Sequence, residues 1–243
     1  MAIMKVLILG GTREGRELAA LLHRAGHDVT TSLAGRVTRP AEIAGAVRIG
    51  GFGGIPGLTA HLTTEGVDLV VDATHPFAER ISANAVAASQ AAGVPLLRIE
   101  RPSWSEHRLA NRWLWVADHD EAARAAAGHD RVLLTVGRQS LDHYRALPRV
   151  LARMVELPST PLPPSWEVHL GRGPFDIDSE RTLLREAGVT ALVTKDSGGR
   201  LTEPKLWAAA ELDVTVIVVR RCPTPEGFPT VATAREAVTF LNG

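Results

Sequence analysis

Lys5-Val6-Leu7-Ile8-Leu9-Gly10-Gly11-Thr12-Arg13-Glu14-Gly15 is the stretch whose reading decides the fold. Val6 to Leu9 is an unbroken apolar run, the pattern of a parallel strand buried on both faces. A glycine turn follows. Beyond it Leu18, Ala19, Leu22 and Ala25 recur at helical spacing, and Gly26 stops the helix. Strand, glycine turn and helix in that order present bare backbone N–H groups at a helix N-terminus. There the aligned peptide dipoles add about half a positive charge, which suits a phosphate. The same turn also occurs as a plain strand-to-helix connection that binds nothing, so the choice rests on the rest of the chain.

The dinucleotide fingerprint is G-x-G-x-x-G. Gly10 and Gly15 hold its outer positions and Thr12 the middle one. A threonine there implies a somewhat different phosphate geometry, with the hydroxyl as an added donor. The chain has 243 residues, 45% of them apolar, enough for one large or two small cores. Its 27 basic and 27 acidic residues cancel, which argues against a nucleic acid or a membrane surface as partner. Cys222 is the single cysteine, so neither an internal disulfide nor a cysteine-based zinc site is expected, and no metal is assigned. No signal-peptide pattern and no spanning run appear, so a soluble, cytoplasmic protein is expected. Lysine occurs only at 5, 195 and 205, which draws attention to each.

Strands and helices then alternate. Asp28 to Leu33 reads as the second strand. An acidic residue at its end would take the ribose 2′-hydroxyl of NAD. Instead the end reads Ser32-Leu33-Ala34-Gly35-Arg36, and a hydroxyl with a guanidinium suits a 2′-phosphate, favouring NADPH. Val47 to Ile49 is a short third strand ending in Gly50-Gly51-Phe52-Gly53-Gly54, a loop that a cofactor lying across the strand ends would approach, or merely a flexible connection. Pro56 to Glu65 reads as a helix and Val67 to Asp72 as a fourth strand. That strand runs into Ala73-Thr74-His75-Pro76-Phe77-Ala78. Ligands of open parallel sheets sit outside the carboxyl ends of the strands, which places Thr74 and His75 beside a nicotinamide or its ribose. A helix at Ile81 to Ala92 and a strand at Val94 to Ile99 complete a first domain.

Glu100 to Arg112 changes character, and a boundary is expected at residue 112, giving domains 1–112 and 113–243. Short strands follow at Trp113 to Val116, Arg131 to Val136 and Val150 to Val155, with a helix at Glu121 to Ala127. Leu157 to Pro164 is a proline-rich loop, a lid or a crossing segment. A helix at Asp178 to Ala187 takes Asp178 as its N-cap. Ala191 to Thr194 is a strand ending in Lys195-Asp196-Ser197-Gly198-Gly199, a second strand, glycine turn and helix that echoes the first. Lys195 at a strand end is a point-charge donor for a carboxylate or phosphate. Val214 to Val219 and a helix at Ala234 to Leu241 close the chain.

Four motifs in this order, Gly10 to Arg16, Asp72 to Ala78, Gly137-Arg138-Gln139 and Lys195 to Gly199, closely resemble the precorrin-6A reductase family of cobalamin biosynthesis, over essentially the whole length. The resemblance implies an α/β fold of two Rossmann-like lobes with mainly parallel sheets and a cleft between them. It implies NADPH-dependent reduction of a C=C bond in the tetrapyrrole-derived macrocycle precorrin-6A, giving precorrin-6B, with neighbouring pathway enzymes as potential partners. The cobalt-containing substrate of close relatives is the alternative. Carried onto this chain, Gly10, Gly11, Thr12, Arg13, Glu14, Ser32, Arg36, Gly51, Phe52, Thr74 and His75 are expected to hold the cofactor. Arg138, Gln139, Lys195, Ser197 and Gly198 are expected to hold the substrate, whose acid groups also suit Arg98 and Arg101. Lys195, Asp196 and His75 are the candidate proton sources, beside water and the ring nitrogens.

Other enzyme classes fit less well. A short-chain dehydrogenase needs Tyr-x-x-x-Lys, and the single tyrosine, Tyr144, has Pro148 at the fourth position on. His23 and His27 are separated by the helix-ending Gly26 and do not form a metal pair. The G-x-S-x-G elbow of serine hydrolases is absent. A non-catalytic NADP(H)-sensing protein of two lobes is the alternative from outside the enzymes.

Overall fold

A computed structural model describes residues 2–35, 42–223 and 227–242. The apolar runs of the first hundred residues become five parallel strands: β1 (Lys5–Leu9), β2 (Asp28–Leu33), β3 (Ala46–Ile49), β4 (Leu69–Asp72) and β5 (Leu96–Ile99). Helices α1 (Arg13–Arg24), α2 (Gly54–Glu65) and α3 (Glu79–Ala92) connect them. Val6 and Ile8 of β1 point to one face of the sheet, where Leu18 and Leu22 of α1 cover them. Leu7 and Leu9 point to the other, against Leu58 and Leu62 of α2 and Ala85 and Ala88 of α3. With helices on both faces, each β1 position after Lys5 must be apolar, which is why the run is continuous rather than alternating.

The pattern then repeats with β6 (Leu114–Val116), α4 (His119–Ala126), β7 (Val132–Leu134), β8 (Val150–Met154), β9 (Glu167–Leu170), α5 (Ile177–Glu186), β10 (Ala191–Lys195), α6 (Pro204–Glu211) and β11 (Thr215–Val219). Leu133, Leu192, Val216 and Val218 pack under Leu184 of α5 and Leu206 of α6, together with Trp104 and Trp113. The N-cap of α5 is Asp176, which accepts from Ser179 N, and not Asp178 two residues on. The chain closes with β12 (Thr230–Val231) and α7 (Ala234–Asn242).

The strand orders are β12-β5-β4-β1-β2-β3 and β6-β11-β10-β7-β8-β9, and all ladders are parallel. Apart from the edge strands β12 and β6, which come last and first in their sheets along the chain, the two orders are the same topology. From β1 the chain steps outward through β2 and β3, then returns to the far side of β1 as β4 and β5. From β7 it does so through β8, β9, β10 and β11. The direction of winding therefore reverses between β1 and β4 and between β7 and β10, the positions where adjacent loops diverge and leave a crevice at the carboxyl ends.

The division into compact units differs from the boundary expected at residue 112. Residues 1–101 with 222–243 form one unit and residues 102–221 the other. The cause is hydrogen bonding at the sheet edge. Arg98 N donates to Pro229 O and Glu100 N to Val231 O, so β12 extends the first sheet past β5. Ala234 and Ala237 of α7 then fill the same core as α1. Among the described residues, no helix is long and apolar enough to cross a membrane.

Ala237 is fully buried in the core of the first unit although it lies at the far end of the chain. Ala237→Asp places an unpaired carboxylate there and is expected to lower stability by about 3 kcal/mol or more. The urea midpoint of the far-ultraviolet circular dichroism transition measures it. An unchanged midpoint would show that α7 does not belong to this core.

Candidate active site

The turn after β1 is built by close contacts. A Cβ on Gly10 would lie 2.7 Å from the Thr31 side chain, and one on Gly15 would lie 3.2 Å from Ala73 Cβ. Gly10 therefore lets the turn hug β2, and Gly15 lets α1 sit against the end of β4. Gly11 has φ +119, the left-handed side that favours glycine, and a Cβ there would meet nothing within 4 Å, so this side of the turn is open. The Thr12 hydroxyl accepts from Gly15 N at 3.1 Å, capping α1, and donates to Ala73 O at 2.6 Å. It is 8% exposed. The hydroxyl expected to reach a phosphate makes both of these bonds inside the protein. The backbone N–H groups of Gly11, Thr12, Arg13 and Glu14 have no backbone partner among the described residues. They lie at the helix N-terminus and fit an anion.

Across the switch point, β4 ends in Asp72, opposite Leu9. Asp72 is buried and accepts from Thr74 N at 3.0 Å, from Thr74 Oγ1 at 2.7 Å and from Arg98 Nη1 at 2.5 Å. Arg98 also donates to Ser82 Oγ at 2.9 Å and to Glu100 at 3.0 Å. Expected as a cation for substrate, Arg98 is instead 4% exposed and spent on this network. Arg101 Nε lies 4.0 Å from Glu14, within the same unit. His75 Nδ1 accepts from Phe77 N at 3.2 Å and the two rings lean together, which places the neutral imidazole's proton on Nε2.

Around β2 and β3 the structure supplies a residue missed from sequence. Arg48 Nη1 donates to Ser32 Oγ at 3.3 Å and to Gly50 O at 2.7 Å, and Nη2 donates to Gly51 O at 2.7 Å. Its guanidinium lies 3.8 Å from the centre of the Phe52 ring. One side chain thus brings together Ser32, Gly51 and Phe52. Arg36, the residue expected in this place, lies outside the described residues. The signal for Arg48 was available: it is the one cation in a short β-branched strand that runs into the glycine loop.

The second switch point carries the other motifs. Gly137 follows β7, and Arg138 to Tyr144 form a 3-10 helix that includes Gln139. Arg138 donates to Glu156 and to Leu157 O, both at 3.3 Å. A Cβ on Gly137 would lie 3.9 Å from Lys195 Nζ, so Lys195 leans from β10 toward the β7 turn. Asp196, expected as a proton source, is 2% exposed and fully engaged. Its Oδ1 accepts from Trp104 N at 2.8 Å and Arg221 Nη2 at 3.2 Å, its Oδ2 from Ser103 Oγ at 2.6 Å and Arg221 Nε at 3.0 Å. All four of these bonds use its oxygens as acceptors. Gly198 has φ +63, and a Cβ there would lie 2.1 Å from Pro102 O. Ser197 Oγ pairs with Thr202 Oγ1 at 3.2 Å. Asp196, Ser197 and Gly198 therefore fix the loop after β10, and Lys195 is the member of this motif with a long side chain at the strand end.

Below the loop lies Lys205, 3% exposed, donating to Thr202 O at 2.6 Å and facing the Trp104 ring. Burial, with Arg153 nearby, pushes its ammonium down to about 7. Among the described residues no cluster of histidine, cysteine and carboxylates could hold a metal ion.

Two open parallel sheets, each with a glycine turn at its switch point, define a doubly wound α/β protein. A family model described as precorrin-6x reductase CbiJ/CobK matches residues 5–242. The precorrin-6A reductase of Rhodococcus erythropolis is 42% identical over 242 residues, 98% of this chain and 97% of that protein. The cobalt-precorrin-6A reductase of Priestia megaterium is 32% identical over 255 residues, 97% of each. A solved structure described as CobK precorrin-6A reductase superposes with a TM-score of 0.91 at 40% identity, covering 99% of this chain and 96% of that one. The chain belongs to the precorrin-6x reductase family, as its four motifs lead one to expect.

The folded chain holds Lys205 less protonated than the unfolded chain does at any pH between about 7 and the ordinary lysine value. The unfolded state binds the extra proton, so this residue makes stability rise with pH across that window. Urea unfolding at pH 7 and pH 9 is expected to show wild type gaining stability relative to Lys205→Met. Parallel behaviour of the two proteins would rule the assignment out.

Proposed function

We propose that this chain catalyses the NADPH-dependent reduction of one C=C bond in the precorrin-6A macrocycle, giving precorrin-6B, in the cytoplasm. The observation that carries the reading is the full-length match to proteins named precorrin-6A reductase. Identity to them is 42%, against 32% for the cobalt-precorrin-6A reductases of Priestia megaterium and Salmonella typhimurium, which favours the cobalt-free substrate.

NADPH, when bound, supplies the hydride for one carbon of the double bond; a proton completes the other. The chain's own contribution is position. The backbone from Gly11 to Glu14 takes the diphosphate, and Ser32 with Arg48 takes the 2′-phosphate, Arg48 as a planar donor already braced on Phe52. Thr74 and His75 lie at the end of β4, where the nicotinamide end of the cofactor falls. Lys195 and Arg138, at the second switch point, answer the macrocycle's carboxylates, and neither Arg98 nor Asp196 does. Orientation alone removes much of the barrier to a hydride transfer. With Asp196 engaged as an acceptor, the proton comes from solvent or from the substrate's own nitrogens, and no side chain is indispensable as an acid.

Absorbance at 340 nm is expected to fall only when NADPH and precorrin-6A are both present, one cofactor oxidised for each macrocycle. Lys195→Ala and His75→Ala are each expected to lower turnover by less than about 10³-fold, within the range of a single proton-handling group. Total loss in either variant with cofactor binding intact would make that residue an obligatory acid and sink the account. Calorimetry of Arg48→Ala is expected to show NADPH binding weakened about tenfold or more while NADH binding changes little, as loss of a charge-assisted contact to the 2′-phosphate requires. Equal weakening of both would remove Arg48 from that role.

A further inference from the structure

His119 and Tyr144 form a pair that none of the four motifs includes. His119 is the first residue of α4, just past the carboxyl end of β6, and Tyr144 ends the 3-10 helix that follows β7. Both therefore stand at the carboxyl edge of the second sheet, as Lys195 does. The His119 Nδ1 and the Tyr144 hydroxyl are 2.8 Å apart, and the Tyr144 side chain is fully buried.

The direction of that bond follows from elimination. A buried hydroxyl hydrogen without an acceptor is costly. Among the described residues, His119 is the single hydrogen-bond partner of the Tyr144 hydroxyl. Tyr144 therefore donates and Nδ1 accepts, which puts the proton of the neutral imidazole on Nε2. Among the described residues Nε2 makes no hydrogen bond, and His119 is only half-buried, so its N–H is an accessible donor.

The surroundings keep it neutral. Burial, then the charge of Lys195, then His143 stacked on its ring, push His119 down to about 4, against the opposite pull of Asp118 and Asp120. Asp118 is occupied with capping Glu121 N at 2.8 Å, and Asp120 with His143 at 2.6 Å. Burial pushes the Tyr144 phenol the other way, out of the titrating range. A neutral, oriented N–H beside an ammonium group is a donor set for a carboxylate, with one hydrogen bond from a fixed direction and one point charge.

We propose that His119 is a further substrate-binding residue whose Nε2–H, aimed by Tyr144, hydrogen-bonds a carboxylate of the macrocycle beside Lys195. Tyr144 is the positioning residue. The inference rests on the reductase reading above and adds a specific anchor for one of the substrate's acid groups.

Nitrogen-15 NMR of the ligand-free protein at pH 6.5 is expected to show His119 neutral and protonated on Nε2. The Nδ1-protonated form would overturn the inference whatever the variants do. In steady-state assays with NADPH and precorrin-6A, His119→Ala is expected to raise KM for the macrocycle about tenfold, the size of one hydrogen bond to a charged acceptor, with kcat within about threefold. Affinity for NADPH, measured by calorimetry, stays unchanged. His119→Gln, which keeps an N–H near the Nε2 position, recovers most of the loss. Tyr144→Phe, which frees the tautomer but leaves the ring packing, raises KM by a smaller factor. A His119→Ala protein with unaltered KM overturns the inference alone. A wild-type protein that does not reduce precorrin-6A overturns the reductase reading and this inference with it.

Discussion

The Thr12 hydroxyl joins the two strands between which the first sheet reverses its winding. It receives the N–H of Gly15, stopping the first turn of α1 from fraying, and gives its own hydrogen to the carbonyl of Ala73 just past β4. Caps of this kind are worth about 1 kcal/mol, and a buried carbonyl left unpaired costs about 1 to 3. The geometric consequence matters more than the energy. The helix N-terminus is locked to the neighbouring strand end, so the free N–H groups of the turn keep a fixed direction. A glycine at position 12 would allow closer approach by an anion but would release that tie. The chain keeps the open approach at Gly11 and uses Thr12 as the clamp.

Beneath the clamp, the polar groups are satisfied inward. Asp72, Arg98, Ser82, Thr74 and Glu100 make one buried network, and breaking such a pair by removing one partner leaves an uncompensated charge worth about 3 to 5 kcal/mol. Five strands of the second sheet follow the same topology, but the matching position carries a different charge. Where β4 ends in an aspartate held from below, β10 ends in Lys195. Asp196 takes over the structural task one residue later, gathering Ser103, Trp104 and Arg221. The repeated fold thus provides two strand-end crevices of opposite construction. In one, backbone N–H groups are the donors; in the other, side chains are.

Much of this was legible in the residues. The continuous run at β1, the β-branched β2 and the helix-stopping glycines fix element type directly, because burial on both faces and a left-handed terminus each leave a local signature. Two of the four edge strands leave none. β9 exposes Val168 and Leu170, and β12 is two residues long, so neither carries a pattern, and the return of the chain to the first sheet is visible only as hydrogen bonds to Arg98 and Glu100. The site was legible by position and illegible by partner. Strand ends drew attention to Thr12, Asp72, Asp196 and Arg98, yet whether a polar side chain faces a ligand or a neighbour depends on residues up to 93 positions away, as for Ser103 and Asp196. The role proposed for His119 was missed for the same reason in reverse, since it comes from Tyr144.

That distinction bears on how a chain with no net charge could hold a ring bearing many carboxylates. Long-range attraction is weak when 27 cations balance 27 anions, so recognition must come from local arrangement. The buried pairs Arg98–Asp72, Arg153–Glu180 and Arg221–Asp196 remove three guanidinium groups from that task by neutralising each within its own unit. Among the described residues, the carboxyl edge of the second sheet carries donors of different kinds: the Lys195 ammonium, the Arg138 guanidinium tied to Glu156, and a neutral imidazole N–H. A charged pair alone would accept any acid in any orientation. Adding a directional neutral donor restricts the angle at which a carboxylate is taken, and angle is what hydride transfer to one chosen carbon demands. Under the proposed reading, selectivity among the many double bonds of the macrocycle therefore resides in how its rim is gripped, not in an acid placed beside the reacting carbon.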